Sequence, residues 1–366
     1  MLKHKNKFTK ALSLMLALIF IVSAFAGCGG DKNTEESTTE APKNDIVENN
    51  EPVENIIRNP LTGEAGYDEA LLNNKPVFVV VENTKEARPQ WGLTSSDMVF
   101  EMVAEGGVAR MLLVYSDISR LPDKIGPTRS ARPYFVDITR GFGGAFIHFG
   151  GSPMAYSILN SISISRMDGM ANDGTYFKRD TSRNVESWHT AYTSKDMATT
   201  YFTKNDIDLT LDDDYKNILS FNDEAVELTG GECNEIKYAI SSGYKYTCKY
   251  NEDENVYYSS LNGEKFVDSD GNQQSFSNII ILYTDVYVDS AQNAKYGESG
   301  RMAIELDSGK GVYVSNGTYE NITWEKGDAT DSFKFYNADG EELKLNIGKT
   351  YVGITDSDNA SSTVIA

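Results

Sequence analysis

Arginines lie on both sides of the start of a predicted helix, within the stretch Asp123–Ser152. Arg129 and Arg132 flank Ser130 there, and a helix start presents unpaired N–H groups and partial positive charge. Two guanidiniums beside such groups form a fork-shaped site for phosphate, sulfate or carboxylate. The spacing therefore predicts an anion-binding site on Arg129 and Arg132, to which Arg110 can contribute.

The same arginines also have a structural interpretation. Glu101, Glu105 and Asp137 are acids in or near the same apolar elements, and a buried acid needs a partner of this kind. The sequence leaves both interpretations open. The guanidiniums point either outward at a ligand or inward at these carboxylates.

A second group of candidate residues lies in a loop-rich segment further along the chain. Arg179, Arg183 and His189 can converge on the same anion, with Trp188 as a stacking face for a sugar or a base. His189 and His148 can also serve as acid and base in proton transfer. A single histidine is more often a hydrogen-bonded core or loop residue, so the catalytic roles are the weaker hypothesis.

Several familiar chemistries lack their sequence signatures. The chain has no G-x-S-x-G, P-loop, dinucleotide fingerprint or H-E-x-x-H motif. Histidines are too sparse to suggest a metal site, and we predict neither a metal nor a cofactor. The segment Asp268–Asn272 resembles a calcium loop, but its twelfth position is Ile279 rather than glutamate, so a hairpin turn is favoured. No basic run suggests nucleic-acid binding.

The first residues predict export and lipid anchoring. Four lysines precede the apolar run Ala11–Ala26, which is too short for a comfortable membrane span. The sequence Phe25–Cys28 resembles a bacterial lipobox, in which the cysteine is lipidated and becomes the mature N-terminus; an ordinary signal peptide is the alternative. Two acyl chains on Cys28 would anchor the protein without a spanning helix. We therefore expect it on the extracytoplasmic face of the cell membrane.

Composition divides the chain after this leader. Asp, Glu, Asn, Thr and Ser dominate the next thirty or so residues, which cannot bury enough apolar surface to offset the entropy of ordering. Residues 58–205 contain 16 Lys+Arg and 16 Asp+Glu, so this segment is neutral. Residues 206–366 contain 12 Lys+Arg but 30 Asp+Glu, so this segment is strongly acidic. We predict a signal peptide (1–27), an acidic tether (28–57), an N-terminal domain (58–205) and a C-terminal domain (206–366).

The pattern of apolar residues differs between the two domains. Ser130 is a plausible N-cap for the first helix, and after Asp206 the apolar residues recur with period two between turn signals. The predicted fold is mixed α+β: an N-terminal α/β domain followed by an antiparallel β-rich C-terminal domain. In the first domain we predict strands at Pro76–Glu82, Asp97–Val103, Ala109–Tyr115 and Ala145–Phe149, and helices at Tyr134–Phe142 and Met154–Ile162.

Two cysteines follow Cys28. In a hairpin turning at Ser242-Gly243, Cys248 would face a residue near Lys237 rather than Cys233. The register therefore argues against a disulfide between Cys233 and Cys248 unless a bulge intervenes.

Several longer motifs occur along the chain after the tether. They are NPLTGE (Asn59–Glu64), ARPQWGL (Ala87–Leu93), FEMVAEGGVAR (Phe100–Arg110), KIGPTRSARPYFVDI (Lys124–Ile138) and HFGGSP (His148–Pro153). These motifs resemble those of the YerB-like lipoprotein family of bacteria, and the segment Gly300–Gly353 is similar to that family's separate C-terminal domain. The resemblance implies a two-part lipoprotein of Gram-positive-type bacteria without an assigned reaction, and it supplies no catalytic roles.

Together these observations favour a non-catalytic lipoprotein that binds an anionic cell-envelope ligand, such as a phosphate-bearing glycan or lipid head group, through its arginines. One alternative is a hydrolase or transferase acting on a phosphodiester or pyrophosphate envelope substrate, with His148 or His189 in proton transfer. The other is an interaction lipoprotein that docks an envelope protein through its acidic, tyrosine-rich C-terminal domain.

Overall fold

The computed structural model describes residues 56–212, 215 and 219–366. The predicted signal peptide, the lipidation site Cys28 and nearly all of the predicted tether lie outside the described residues. The described residues belong to one compact unit.

Strands dominate the described residues, and short helices connect some of them. The helices are α1 (Pro133–Gly141), α2 (Pro153–Leu159), α3 (Gly169–Asn172), α4 (Lys195–Lys204) and α5 (Ser290–Tyr296). The strands are β1 (Val77–Glu82), β2 (Met98–Val103), β3 (Ala109–Tyr115), β4 (Ala145–His148), β5 (Arg166–Asp168), β6 (Lys178–Arg179), β7 (Ala191–Tyr192), β8 (Glu235–Ser241), β9 (Tyr244–Asn251), β10 (Val256–Leu261), β11 (Glu264–Lys265), β12 (Ser275–Phe276), β13 (Asn278–Thr284), β14 (Val286–Val288), β15 (Met302–Ile304), β16 (Ser308–Ser315), β17 (Thr318–Glu325), β18 (Lys334–Tyr336), β19 (Thr350–Asp356) and β20 (Val364–Ile365).

The largest sheet in the described residues has ten strands, in the order β18-β17-β16-β13-β19-β2-β3-β1-β4-β5. Strand β19 joins its two halves, because it pairs in parallel with β13 on one side and with β2 on the other. The predicted mixed fold with a β-rich C-terminal part is confirmed, although β13 and β19 run parallel rather than antiparallel. The sheet crosses the predicted domain boundary at Asp206, and that boundary stays a prediction.

The central strands are buried on both faces. Every residue of β1, β2 and β3 is buried. Val77 and Val79 belong to the hydrophobic cluster on one face of the sheet, and Phe78 and Val80 belong to the cluster on the other. This two-sided burial explains why these strands appear in the sequence as nearly continuous apolar runs, each with a single charged residue.

A smaller sheet packs against one face of the large one. Its order is β11-β10-β9-β8-β20, with β12 paired to β10. Cys248 of β9 lies opposite Ile236 rather than Lys237, because a bulge between Ala239 and Ser241 shifts the register by one residue. The expected register is therefore off by one residue, but the bulge brings Cys248 opposite Ile236 and not opposite Cys233. Cys233 and Cys248 are both buried free thiols.

The N-cap of the first helix lies two residues later than predicted. Its N-cap is Arg132 and its first residue is Pro133, so Ser130 is not the cap. The residue before a proline is driven towards extended backbone, and Arg132 has φ −129° and ψ 155°. In α2, by contrast, Ser152 is the N-cap and its hydroxyl accepts a hydrogen bond from the Ala155 amide at 3.2 Å.

The calcium-loop segment is a hairpin turn. Asp268 Oδ1 accepts hydrogen bonds from the backbone amides of Asp270 and Asn272 at 2.9 and 3.0 Å.

Within the described residues, no group of three or more His, Cys, Asp or Glu side chains is placed to hold a metal ion. None of the described helices has the length and apolarity needed to cross a membrane.

Candidate functional site

A cleft of about 370 Å³ opens beside the start of α1. One wall carries Arg129 and Ser130, and a second carries the Gly150-Gly151 turn that follows β4. Trp188 and Arg179 come from the loop-rich segment on the opposite side. The cleft therefore joins two of the five predicted arginines with the predicted aromatic stacking face.

Backbone pairing fixes the two turns that form the floor. The Arg129 amide donates to Val80 O at 2.9 Å, and the Ala131 amide donates to Gly150 O at 2.8 Å. Gly150 has φ +76°, a left-handed conformation that favours glycine. The Asp168 carboxylate accepts from the Gly150 amide at 2.9 Å, so the turn is held from both sides.

Two backbone N–H groups at the cleft keep free hydrogen-bonding capacity. Within the described part of the chain, the amides of Ser130 and Gly151 donate no hydrogen bond, and both residues line the cleft. Half-buried N–H groups next to an arginine can bind a negatively charged oxygen.

The Arg129 guanidinium is held loosely. Its Nε lies 3.4 Å from Glu82 Oε1, and 27% of the side chain is exposed. That Nε is buried without a hydrogen-bond partner among the described residues. A guanidinium has five N–H donors, so Arg129 retains the capacity to bind a second anion in bidentate fashion.

Arg179 lines the same cleft but is held by the protein. It donates to Asp173 Oδ2 at 2.9 Å and to Ser187 O at 2.6 Å. Its guanidinium carbon lies 4.6 Å from the centre of the Phe149 ring. Arg179 therefore contributes fixed positive charge, partly offset by Asp173.

Arg132 and Arg110 point inward, onto Glu105. Arg132 donates Nε and Nη2 to the two Glu105 oxygens at 2.5 and 2.6 Å. Arg110 Nη2 lies 3.8 Å from the same carboxylate, and Arg301 donates to it at 2.6 Å. Burial acts to raise the pKa of Glu105, but the hydrogen bonds and charges of the arginines outweigh it and lower the pKa to about 2. Arg132 and Arg110 do not line the cleft, and their contacts with Glu105 stabilise the fold.

Glu101, the other expected acidic partner, is bound by neutral groups. It accepts hydrogen bonds from Asn83 Nδ2 at 2.6 Å, Tyr246 OH at 3.0 Å and Tyr351 OH at 2.8 Å. Burial raises the pKa of Glu101 above its ordinary value. The expected arginine pairing is therefore wrong for Glu101.

Arg183 packs against Trp91. Its guanidinium carbon lies 3.7 Å from the centre of the indole, and Nη1 donates to Ala87 O at 2.8 Å. Lys124 Nζ lies 3.9 Å from the same indole ring. Arg183 therefore makes a cation–π contact with Trp91, as Lys124 does, and it does not line the cleft.

The two candidate histidines bind different partners. His148 is buried, and its Nδ1 contacts Gly150 O at 2.8 Å, which places the ring proton on Nδ1. Burial lowers the pKa of His148, against the smaller opposing effect of Asp168. His189 Nδ1 lies 3.0 Å from Glu82 Oε2, the same carboxylate that Arg129 approaches.

Two residues of the site were not predicted from the sequence. Glu82 ends an apolar strand and is 2% exposed, so its position as an acid in a buried run could have indicated a charged partner. Met170, which lines the cleft with 66% of its surface exposed, carries no sequence signal.

A larger groove of about 1320 Å³ lies on the C-terminal strands. Its charged lining residues are Lys310 and the acids Asp285, Glu305 and Asp307. None of the predicted site residues line it, and its excess of carboxylates does not suit an anion.

Comparison with known proteins gives consistent matches. The family described as protein of unknown function (DUF3048) matches with its N-terminal domain over residues 61–208 and its C-terminal domain over residues 235–352. The chain is 29% identical over 312 residues, 84% of its length and 88% of the relative's, to the "Putative lipoprotein YerB" of Bacillus subtilis (strain 168). It is also similar to the crystal structure of the YerB protein from Bacillus subtilis, with a TM-score of 0.73 and 28% identity, covering 85% of this chain and 99% of that one.

Proposed function

Since the chain belongs to the DUF3048 family and carries both of its domains, we propose that it is a lipid-anchored extracytoplasmic protein that binds an anionic ligand of the cell envelope. The ligand occupies the cleft beside α1. Arg129 is the principal anion-binding residue, Arg179 adds positive charge, and the amides of Ser130 and Gly151 complete the donor set.

The location rests on two observations. A relative that matches over most of the chain is named as a lipoprotein, and the sequence before Cys28 resembles a lipobox. Two acyl chains on Cys28 hold the protein at the membrane. Replacement of Cys28 by serine should release it from the membrane fraction, and a variant that stays in that fraction would contradict lipidation at Cys28.

The anion site rests on the loosely held Arg129 guanidinium. A hydrogen bond to a charged group contributes roughly 1.5–3 kcal/mol, and about 1.4 kcal/mol corresponds to a tenfold change in affinity. Loss of Arg129 should therefore weaken binding at least about tenfold. Arg110 and Arg132 are not part of this site, because Glu105 already occupies them.

Calorimetry with soluble glycerol phosphate and phosphorylated glycan fragments tests the site. Arg129→Gln should lose at least about tenfold in affinity. Arg140→Gln is the matched control, because Arg140 is also an arginine beside a carboxylate, 3.9 Å from Asp137, but lies at the other end of α1. Equal affinity of wild type and Arg129→Gln, with both folded, would refute the proposal.

A second candidate, hydrolysis of a phosphodiester or pyrophosphate, is favoured by the contact between Glu82 and His189. A carboxylate 3.0 Å from Nδ1 fixes the orientation of the imidazole ring. Nε2 of His189 makes no hydrogen bond to the described residues and remains available for proton transfer. Formation of a phosphomonoester from a phosphodiester, or of phosphate from a terminal pyrophosphate, that disappears in His189→Gln would support hydrolysis, whereas binding without turnover would support the binding function alone.

A further inference from the structure

We propose that the anion bound in the cleft is the phosphate head group of a membrane lipid, and that Trp188 and Met170 insert into the membrane surface around it. This inference rests on the proposed anion site. It adds the source of the phosphate and assigns a function to the apolar rim of the cleft.

The rim is unusually apolar for an exposed surface. Met170 is 66% exposed and Trp188 is 50% exposed, and both line the cleft that holds Arg129. A soluble phosphate needs no such rim, and exposed apolar residues grouped at one place mark an interaction surface. Tryptophan favours the boundary between water and lipid, because its ring is apolar and its N–H is polar.

Two carboxylates beside the anion site connect it to the rim. The Asp168 carboxylate accepts hydrogen bonds from the amides of Gly150 and Met170 at 2.9 and 3.0 Å. On the other side, Glu82 contacts both Arg129 and His189, the neighbour of Trp188. The apolar rim and the cationic floor therefore form one fixed unit, as an amphiphilic ligand requires.

The distribution of charge permits this half of the protein to approach an anionic surface. Removing the four lysines of the signal peptide changes the net charge from −20 to −24, so an unspecific attraction to anionic lipid is excluded. Residues 58–205 carry equal numbers of acidic and basic residues, and the acidic excess lies in residues 206–366. At physiological salt the effect of a surface charge is screened over about 8 Å, so the acidic residues far from the cleft do little to repel an anion that binds there.

Anchoring also brings the cleft within reach of lipid. The chain from Cys28 to Ile56, where the described residues begin, spans at most roughly 95 Å when fully extended. A tethered domain meets the surface of its own membrane at a high effective concentration, so a weak head-group site suffices. The geometry thus favours a lipid over a free phosphate compound.

Tryptophan fluorescence can test the inference, because the chain has three tryptophans. Trp91 and Trp324 are buried, with 6% and 1% of their surface exposed, so a change in emission on binding reports Trp188. The protein is the mature chain with Cys28→Ser, which removes any acyl chain. The probes are vesicles of phosphatidylglycerol and phosphatidylcholine in equal parts, vesicles of phosphatidylcholine alone, and soluble glycerol phosphate.

We expect a blue shift and binding with the vesicles that contain phosphatidylglycerol. The double variant Trp188→Ala/Met170→Ser, measured by sedimentation with vesicles, should lose at least about tenfold in vesicle affinity, and this loss should exceed its loss of affinity for glycerol phosphate. Arg129→Gln should weaken both. The matched control is Val288→Ser/Val364→Ser, which changes two apolar residues of similar exposure, 51% and 49%, outside the cleft.

The two proposals fail in different ways. Binding of glycerol phosphate without binding of vesicles, or vesicle binding that the Trp188→Ala/Met170→Ser variant leaves intact, overturns the lipid inference and leaves the anion site standing. Absence of binding to both kinds of probe overturns the anion site and the lipid inference together.

Discussion

Replacing Glu105 with glutamine should destabilise the protein by about 3 kcal/mol at neutral pH. Its carboxylate holds Arg132 and Arg110, whose side chains are only 6% and 8% exposed, together with Arg301 from the C-terminal half. The arginines lower the pKa of Glu105 from 4.5 to about 2, a difference equivalent to about 3 kcal/mol. Three-quarters of the side chain is buried, so solvent screening removes little of this.

The dependence on pH identifies the cause. A carboxylate with a lowered pKa stabilises the folded state fully above its unfolded pKa, near 4.5, and loses that contribution as the pH falls through about 2. Urea unfolding followed by circular dichroism should therefore show a gap between wild type and Glu105→Gln that is largest at neutral pH and narrows in acid.

A surface ion pair provides the control for this measurement. Glu325 and Lys334 lie 3.6 Å apart with about half of each side chain exposed, so Glu325→Gln should cost less than about 1 kcal/mol. Two outcomes would refute the reasoning. One is a free energy of unfolding of Glu105→Gln within about 0.5 kcal/mol of wild type at neutral pH. The other is a difference in free energy of unfolding that stays constant in acid.

Three further predictions follow from buried groups. Glu101→Gln should gain stability relative to wild type as the pH rises above the ordinary carboxyl range, because a raised carboxyl pKa contributes stability that is lost with rising pH. Urea unfolding between about pH 5 and pH 8 measures the difference in free energy of unfolding between the two proteins. A difference that shifts in favour of wild type as the pH rises would contradict the prediction. Cys233 and Cys248, whose pKa burial raises to about 11, should resist a thiol reagent until the protein unfolds; rapid labelling of the native protein would contradict that. Gly150→Ala should cost about 1–2 kcal/mol in thermal unfolding because of its left-handed backbone, and an unchanged melting temperature would show that the turn can rearrange.

The local pattern of the sequence is enough to predict the N-terminal strands. Ala109–Tyr115 matches β3, and the predicted strand Pro76–Glu82 matches β1 apart from its first residue. Apart from Glu82 and Arg110, these runs are apolar because both faces of the strands are buried, and a run of apolar residues is a local signal in the sequence. The insertion of β19 beside β2 joins residues about 250 positions apart, such as Glu101 and Gly353, and no periodicity encodes such a pairing.

The orientation of the arginines depends on backbone that the sequence argument assigned to the helix. Thr128 and Ala131 form isolated β-bridges with Val81 and Gly151, and Arg132 has extended backbone, which indicates a strand-like path between them. In extended backbone, successive side chains alternate in direction, so residues three positions apart face opposite sides. Arg129 therefore faces the cleft and Arg132 faces Glu105, although both belong to one motif.

This alternation decides which variant can test the site. Removing both arginines would combine the loss of a ligand contact with the loss of a buried ion pair, since breaking such a pair costs about 3–5 kcal/mol. A loss of binding in that double variant would then have two causes. Arg129→Gln leaves the contacts of Arg132 and Arg110 with Glu105 intact and removes only the 3.4 Å contact with Glu82. Weakened binding in a single variant that unfolds like wild type is therefore explained by the cleft.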